Sequence, residues 1–146
     1  MSLPISLARF TVVWVTMAVA MSANGVFREL VLKHHASSST ANVLSAALGV
    51  AIIALITRVG FRPLSPADSR VSLATLAVAL VVLTVAFETV LGRVVDHKSW
   101  REIAAHYALL RGELWPIILA FLAVTPFLWA HYSPRPLSSS AMRPGT

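Results

Sequence analysis

Polar and charged residues interrupt this sequence where two of its apolar stretches end. The first stretch closes with ANGVFREL, residues 23–30, and a later one closes with AFETVLGR, residues 86–93. With the residue that opens the last apolar stretch, they form a candidate polar cluster: Asn24, Arg28, Glu29, Glu88, Arg93 and Glu113. Carboxylates and guanidinium groups near hydrocarbon are costly unless they pair, take up a proton or bind a charged group. The cluster is therefore where this chain could hold a proton, a cation or an anionic head group.

Two interpretations of this cluster follow from the need to neutralise Glu88. Arg28 is its expected partner, and Arg93 is expected to pair with Glu113 or with Glu29. In the structural interpretation these ion pairs only fix the rotation of the helices. In the functional interpretation Glu88 responds to protons or cations, and the arginines hold an anionic group. We favour the structural interpretation, because charge near the membrane interface is far less costly than charge at the midplane.

The composition is that of an integral membrane protein. Of 146 residues, 57% are hydrophobic and 12% are charged, whereas a soluble domain has about 25% charged residues. The charges gather between long apolar runs that do not alternate, which argues against a β-barrel. The sequence predicts an all-α polytopic protein with one membrane domain, residues 1–132, and a disordered tail, residues 133–146. Its four transmembrane helices are expected over residues 10–27, 41–61, 71–91 and 114–131.

Lysine and arginine divide almost evenly between the two sides of such a four-span chain. If Arg28 and Arg93 lie inside the bundle, they contribute little to the orientation of the chain in the membrane. The short loop between the second and third spans holds or borders Arg58, Arg62 and Arg70. Short loops with several arginines stay in the cytoplasm. Both termini are therefore expected there too.

The loop before the fourth span has a helical pattern of its own. Ser99 and Glu102 form a capping box, S-x-x-E, that predicts a helix beginning near Trp100. Trp100, Ile103 and Tyr107 follow at helical spacing. We expect a short amphipathic helix on the membrane surface, with Trp100 and Tyr107 as a candidate lid over the polar cluster. The alternative is that this segment is an extension of the fourth helix, broken at Gly112.

Several kinds of chemistry lack the residues they need. The sequence has no cysteine, which excludes disulfides and thiolate chemistry. It has neither a HExxH motif nor a phosphate-binding glycine loop, and its histidines lack the spacing of a metal site. Its basic residues are scattered over short loops, so we expect them to contact lipid head groups rather than nucleic acid. We expect no cofactor and no metal, and favour a protein that is not an enzyme.

Helix packing is indicated by small residues and by one proline. Ala41, Ser45 and Gly49 recur every fourth residue, and Ala47 and Ala51 do the same. Small residues at this spacing let membrane helices approach closely. Pro126 removes a backbone donor from the fourth helix and is expected to bend it.

Three segments carry a resemblance to a known group of proteins. They are NGVFR, residues 24–28, FETVLGR, residues 87–93, and SWREIAAHYALLRGELWP, residues 99–116. Together they resemble a group of small, uncharacterised bacterial four-helix inner-membrane proteins. The resemblance implies the fold and places Arg28, Glu88 and Arg93 in one recurring pattern, but it implies no particular chemistry. Asn24 stands where that group has histidine, which argues against a proton relay there.

These observations predict a structural or accessory membrane subunit. The expected location is a bacterial cytoplasmic (inner) membrane, and the expected partners are lipids and possible further subunits, including other copies of this chain. The alternative is a small oligomeric transporter, or a lipid- or ion-binding protein, that uses Glu88. The discriminating feature is the position of the ionisable residues, because transport sites usually lie near the midplane on broken helices.

Overall fold

In the computed structural model, long helices dominate the chain. The structure describes residues 5–105, 107 and 114–133. In chain order the elements are α1 (Leu7–Phe27), a π-helical turn (Arg28–Leu32), α2 (Lys33–His35), α3 (Ser38–Gly60), α4 (Arg70–Val94), α5 (Trp100–Ala105) and α6 (Trp115–Tyr132). The predicted disordered tail lies outside the described residues, apart from Ser133.

Four of these helical segments are long and apolar enough to cross a membrane. They are Leu7–His35, Ser38–Gly60, Arg70–Val94 and Trp115–Tyr132. This confirms the predicted fold class, an all-α multi-pass membrane protein with four spans. The first segment differs most from its prediction, because helix continues past residue 27 through the π-helical turn to His35.

Serine caps explain where three of the spans begin. Ser6, Ser37 and Ser69 each precede a helix, and each side chain accepts a hydrogen bond from the backbone N–H three residues later. Such a cap satisfies one of the donors that an α-helix leaves free at its start. The fourth span instead has Pro116 in its first turn, where the missing N–H costs nothing.

The four spans pack in the order α1, α3, α6, α4. Trp14 connects the two outer members of this series, because its indole N–H donates to the Thr84 hydroxyl over 3.4 Å. The same ring meets Phe87 edge to face, with centroids 5.7 Å apart. The core between the helices is apolar, and its most enclosed side chains include Met17, Ile53, Leu76, Leu80 and Leu122.

Large apolar side chains also cover the outside of the bundle. Val12, Leu55 and Val78 are each more than 60% exposed. A soluble monomer rarely presents contiguous apolar surface on this scale. Lipid tails are the solvent that suits such a surface.

The contact between α1 and α3 depends on the small residues of α3. Ala41, Ser45 and Gly49 are buried, and a side chain on Gly49 would meet Met21 and Asn24 of α1. This agrees with the close approach that their spacing predicts. Ala47 and Ala51 are exposed, so that second row of small residues faces away from the bundle.

Gly60 is the tightest point of this contact. A Cβ added there would overlap Val13 of α1, lying 3.1 Å from its Cγ1 and 3.2 Å from its Cβ. Valine is stiff at χ1 and has little freedom to move aside. Gly25 offers the opposite case, since a Cβ there would meet nothing within 4 Å.

We expect Gly60→Ala to lower the free energy of unfolding by roughly 1–3 kcal/mol, the usual cost of overpacking. Gly25→Ala is the matched control and should leave stability unchanged or raise it by up to about 1 kcal/mol, because alanine favours a helix. Denaturation in mixed detergent micelles measures both. Equal stability of the two variants would show that α1 and α3 do not meet at Gly60 in solution.

Thr125 compensates for the proline in α6. Pro126 has no N–H to donate to the carbonyl of Leu122, four residues earlier. The fully buried Thr125 hydroxyl donates to that carbonyl instead, over 2.8 Å. The helix then continues through Pro126 to Tyr132. The bend at Pro126 stays a prediction.

Removing the Thr125 hydroxyl should therefore leave a carbonyl without a donor. We expect Thr125→Val to cost about 1 kcal/mol of unfolding free energy. In a Pro126→Ala background, residue 126 can donate its own N–H, and the same change should cost much less. Unfolding measurements on the four proteins of this cycle test the coupling. Equal costs in both backgrounds would show that Thr125 does not replace the missing donor.

Candidate functional site at the Glu88 end of the bundle

The candidate polar residues lie at one end of the bundle, which we call the Glu88 end. There α1 and α4 finish, and α3 and α6 begin. The opposite end, where Arg9 of α1 donates to the carbonyl of Gly60, we call the Arg9 end. The described candidate residues at the Glu88 end differ in their contacts.

The π-helical turn is the feature that sequence reasoning missed. Within it the N–H of Lys33 donates to the carbonyl of Arg28, five residues earlier. A turn of this kind holds one more residue than an α-helical turn, so it changes the direction of every side chain that follows. The sequence Arg28–Leu32 is apolar apart from Arg28 and Glu29, and nothing in its composition distinguishes it from α-helix.

Arg28 pairs with Glu29 and not with the expected Glu88. Its Nη2 lies 3.0 Å from Glu29 Oε1, and Lys33 Nζ lies 2.7 Å from Glu29 Oε2. Lys33 follows Glu29 by four residues, the spacing at which side chains on one helix meet. Glu29 and Lys33 are exposed and Arg28 is half-buried, so the network contributes at most about 1 kcal/mol to stability.

Arg93 holds the connection between α4 and α5. Its Nη1 donates to the carbonyl of Lys98 over 2.6 Å, and its guanidinium group lies 5.0 Å from the centre of the Trp100 ring. Within the described ranges Arg93 forms no ion pair with Glu29, one of its two expected partners. The other, Glu113, lies outside them.

The capping box at the start of α5 forms as predicted. The N–H and the hydroxyl of Ser99 both donate to Glu102 Oε2 over 2.7 Å, and the Glu102 N–H donates back to the hydroxyl. The bond from the Ser99 side chain, then the bond from its backbone, lowers the pKa of Glu102. The carboxylate that closes the box is therefore ionised at neutral pH.

The described part of α5 runs from Trp100 to Ala105. The segment that would distinguish a surface helix from an extension of the fourth helix lies outside the described residues. Ile103 packs on Gly92 of α4, where a Cβ would lie 3.4 Å from its side chain. Of the two candidate lid residues, Trp100 is exposed and Tyr107 is half-buried. Their role as a lid over the polar cluster stays a prediction.

Asn24 is buried between α1 and α3. Its Nδ2 donates to the carbonyl of Ser45 over 2.9 Å. Its Oδ1 is buried and accepts no hydrogen bond from the described part of the chain. Asn24 therefore joins two helices and is not bonded to the charged members of the cluster.

Glu88 lines a small cavity inside the bundle. The cavity volume is about 20 Å³, which is room for one water-sized group. Its walls are mostly apolar or aromatic and come from α1, α3, α4 and α6: Trp14, Met17, Ala18, Met21, Ile53, Thr84, Phe87, Glu88, Trp115, Ile118, Leu119 and Leu122.

Part of this cavity wall was recognisable from the sequence. Thr84, Phe87 and Glu88 lie three and four residues apart, so they share a face of α4. Trp14 and Trp115 lie far away in the chain, and only the packing of the helices brings them to that face. The described candidate residues thus occupy separate neighbourhoods: Arg28 with Glu29, Asn24 with Ser45, Arg93 with α5, and Glu88 alone in the cavity.

Comparison with known protein families, characterised proteins and solved structures found no match to this chain. The resemblance carried by NGVFR and FETVLGR therefore stays a prediction, and the residues themselves are the basis for any functional argument.

Proposed function

We propose that this chain is a structural or accessory subunit of a bacterial inner membrane, with both termini in the cytoplasm and no enzymatic activity of its own. Its partners would be membrane lipids and other membrane subunits, including further copies of itself. The observation that carries the proposal is the closed apolar core between the Glu88 end and the Arg9 end.

The core supports this proposal because its described part is buried and largely apolar between the two ends. Met17, Ile53 and Leu122 belong to the wall of the Glu88 cavity and are at most 2% exposed. Nearer the Arg9 end, the two buried threonines of the described core are Thr57 and Thr125, and both hydroxyls donate to carbonyls of their own helices. A transporter needs a site that opens alternately to both sides, and these hydroxyls are committed to the backbone.

Contacts between α3 and α6 reinforce the closure. The indole N–H of Trp129 donates to the Thr57 hydroxyl over 2.9 Å, and the Arg58 guanidinium group lies 5.3 Å from the centre of the same ring. A partly buried hydrogen bond and a cation–π contact on one tryptophan favour a single arrangement of the two helices. This rigidity suits a scaffold better than a gate.

Vesicles reconstituted with the purified chain test the proposal. We expect an imposed pH gradient to decay at the rate of protein-free vesicles, and we expect no uptake of cations or small amines. Glu88→Gln is the matched variant and should behave like the wild type. Proton or amine flux that disappears in Glu88→Gln would overturn the accessory role in favour of the transporter alternative.

Single cysteines test the proposed orientation, because the natural sequence has none. Ser38 and Ala67 are exposed and lie at opposite ends of α3. A membrane-impermeant thiol reagent added outside intact cells should label Ser38→Cys and leave Ala67→Cys unlabelled. Permeabilised cells provide the control, since both variants should then react. The reverse labelling pattern would place both termini outside the cytoplasm.

The alternative, a lipid- or ion-binding protein that uses Glu88, is favoured by one observation. Among the described residues, no lysine or arginine lies within ion-pair distance of Glu88. A half-buried carboxylate in apolar surroundings requires a positive charge or a proton. Binding at this site is compatible with an accessory role, whereas transport is not.

A further inference from the structure

We propose that the Glu88 cavity binds one primary ammonium group, held by the Glu88 carboxylate and by the rings of Trp14, Phe87 and Trp115. This inference does not depend on the accessory role, because both an accessory subunit and a transporter could bind such a ligand.

The Glu88 carboxylate at the cavity has no direct counter-ion among the described residues, so an external cation could neutralise it. Among the described residues, Lys98 and Arg28 are the basic side chains that act electrostatically on Glu88, and neither lies within ion-pair distance of it. Each of them is already paired with another carboxylate, Arg28 with Glu29 and Lys98 with Asp96. Within the described ranges, Glu88 is thus a carboxylate at an apolar cavity with no direct counter-ion.

The cavity wall matches an ammonium group in its chemistry. An ammonium group has N–H donors and no acceptor. Of the lining residues, Glu88 and Thr84 are the two whose side chains carry oxygen atoms that can accept hydrogen bonds. The indole N–H of Trp14 donates to the Thr84 hydroxyl and is therefore not free to compete with the ammonium group for Glu88. The ring of Trp14 remains as a π-system that can attract the cation. Aromatic faces attract cations, most strongly where water is excluded.

The cavity size selects among ammonium groups. A volume of about 20 Å³ admits one group of the size of water, which a primary ammonium group matches. A trimethylammonium group carries three additional methyl groups and exceeds this space. The structure therefore predicts discrimination against quaternary amines, unlike the open aromatic cages that hold them.

We expect the route into the cavity to lie between α1 and α4. Helix packing joins α1 to α3, α3 to α6 and α6 to α4, while α1 and α4 meet through the side chains of Trp14, Thr84 and Phe87. At the Glu88 end this opening would face the head-group region. The primary ammonium could come from an ethanolamine phospholipid or from a free amine in water.

Binding of simple amines to the purified full chain in detergent tests this site. The probes are methylammonium chloride and tetramethylammonium chloride, and the measurement is calorimetric titration at matched ionic strength. We expect saturable binding of methylammonium only, and binding weakened about tenfold or more in Glu88→Gln, because a charge-assisted hydrogen bond is lost. Glu102→Gln, which removes an exposed carboxylate that is bonded to Ser99 and to no basic side chain among the described residues, should bind methylammonium like the wild type.

A second variant blocks the cavity without touching the carboxylate. Ala18 is half-buried in the cavity wall, so Ala18→Leu should fill the space and abolish binding even if Glu88→Gln fails to fold. The proposal is overturned if methylammonium does not bind to the wild type, if tetramethylammonium binds equally well, or if neither variant weakens binding. Those results would assign the cavity to a water molecule or to a protonated Glu88.

Nanodiscs separate the two sources of the ammonium group. If the ligand is a lipid, ethanolamine phospholipid added to choline phospholipid discs should raise the thermal midpoint of the wild type and of Glu102→Gln, but not that of Glu88→Gln. If the ligand is a free amine, methylammonium alone should raise it in choline phospholipid discs. Either response supports the site, and a response equal in Glu88→Gln and the wild type overturns it.

Discussion

The hydrocarbon tails of lipids cannot donate or accept hydrogen bonds, and much of this structure follows from that constraint. Polar groups buried in a span must find partners inside the protein or cost several kcal/mol each. Thr125 supplies the donor that Pro126 lacks. Trp129 donates to Thr57, and Asn24 donates to the carbonyl of Ser45. Each of these polar side chains thereby fixes either the course of one helix or the contact between two.

The end of the first span gathers its charges into one local network. Arg28, Glu29 and Lys33 are joined by two ion pairs in and directly after the π-helical turn. Arg28 is thereby engaged with Glu29, while Glu88 of α4 lines the cavity. Turns of this type are often found at functional sites. The exposed charge network thus lies apart from the half-buried Glu88, and that separation is the basis of both the proposed scaffold and the proposed ammonium site.

An enclosed carboxylate need not imply transport. Glu88 lies at one end of the bundle, while the side chains toward the Arg9 end are close-packed and apolar. A bound cation would neutralise Glu88 and would also join α1, α4 and α6, the helices whose aromatic rings line the cavity. A carboxylate that binds a cation would serve transport if it lay at the midplane. Near the interface, the same interaction can instead hold helices together when the ligand is bound.

The sequence by itself determined the four spans, the serine caps and the close packing of Ala41, Ser45 and Gly49. These features depend on apolar length, on local hydrogen bonding and on side-chain size, all of which can be read along the chain. It also determined the capping box of Ser99 and Glu102, since both partners lie within one turn. The tertiary structure decided the partner of Arg28 and the surroundings of Glu88. Ion-pair choice depends on how the helices are rotated against one another, and Trp14 and Trp115 reach Glu88 only through packing between distant segments.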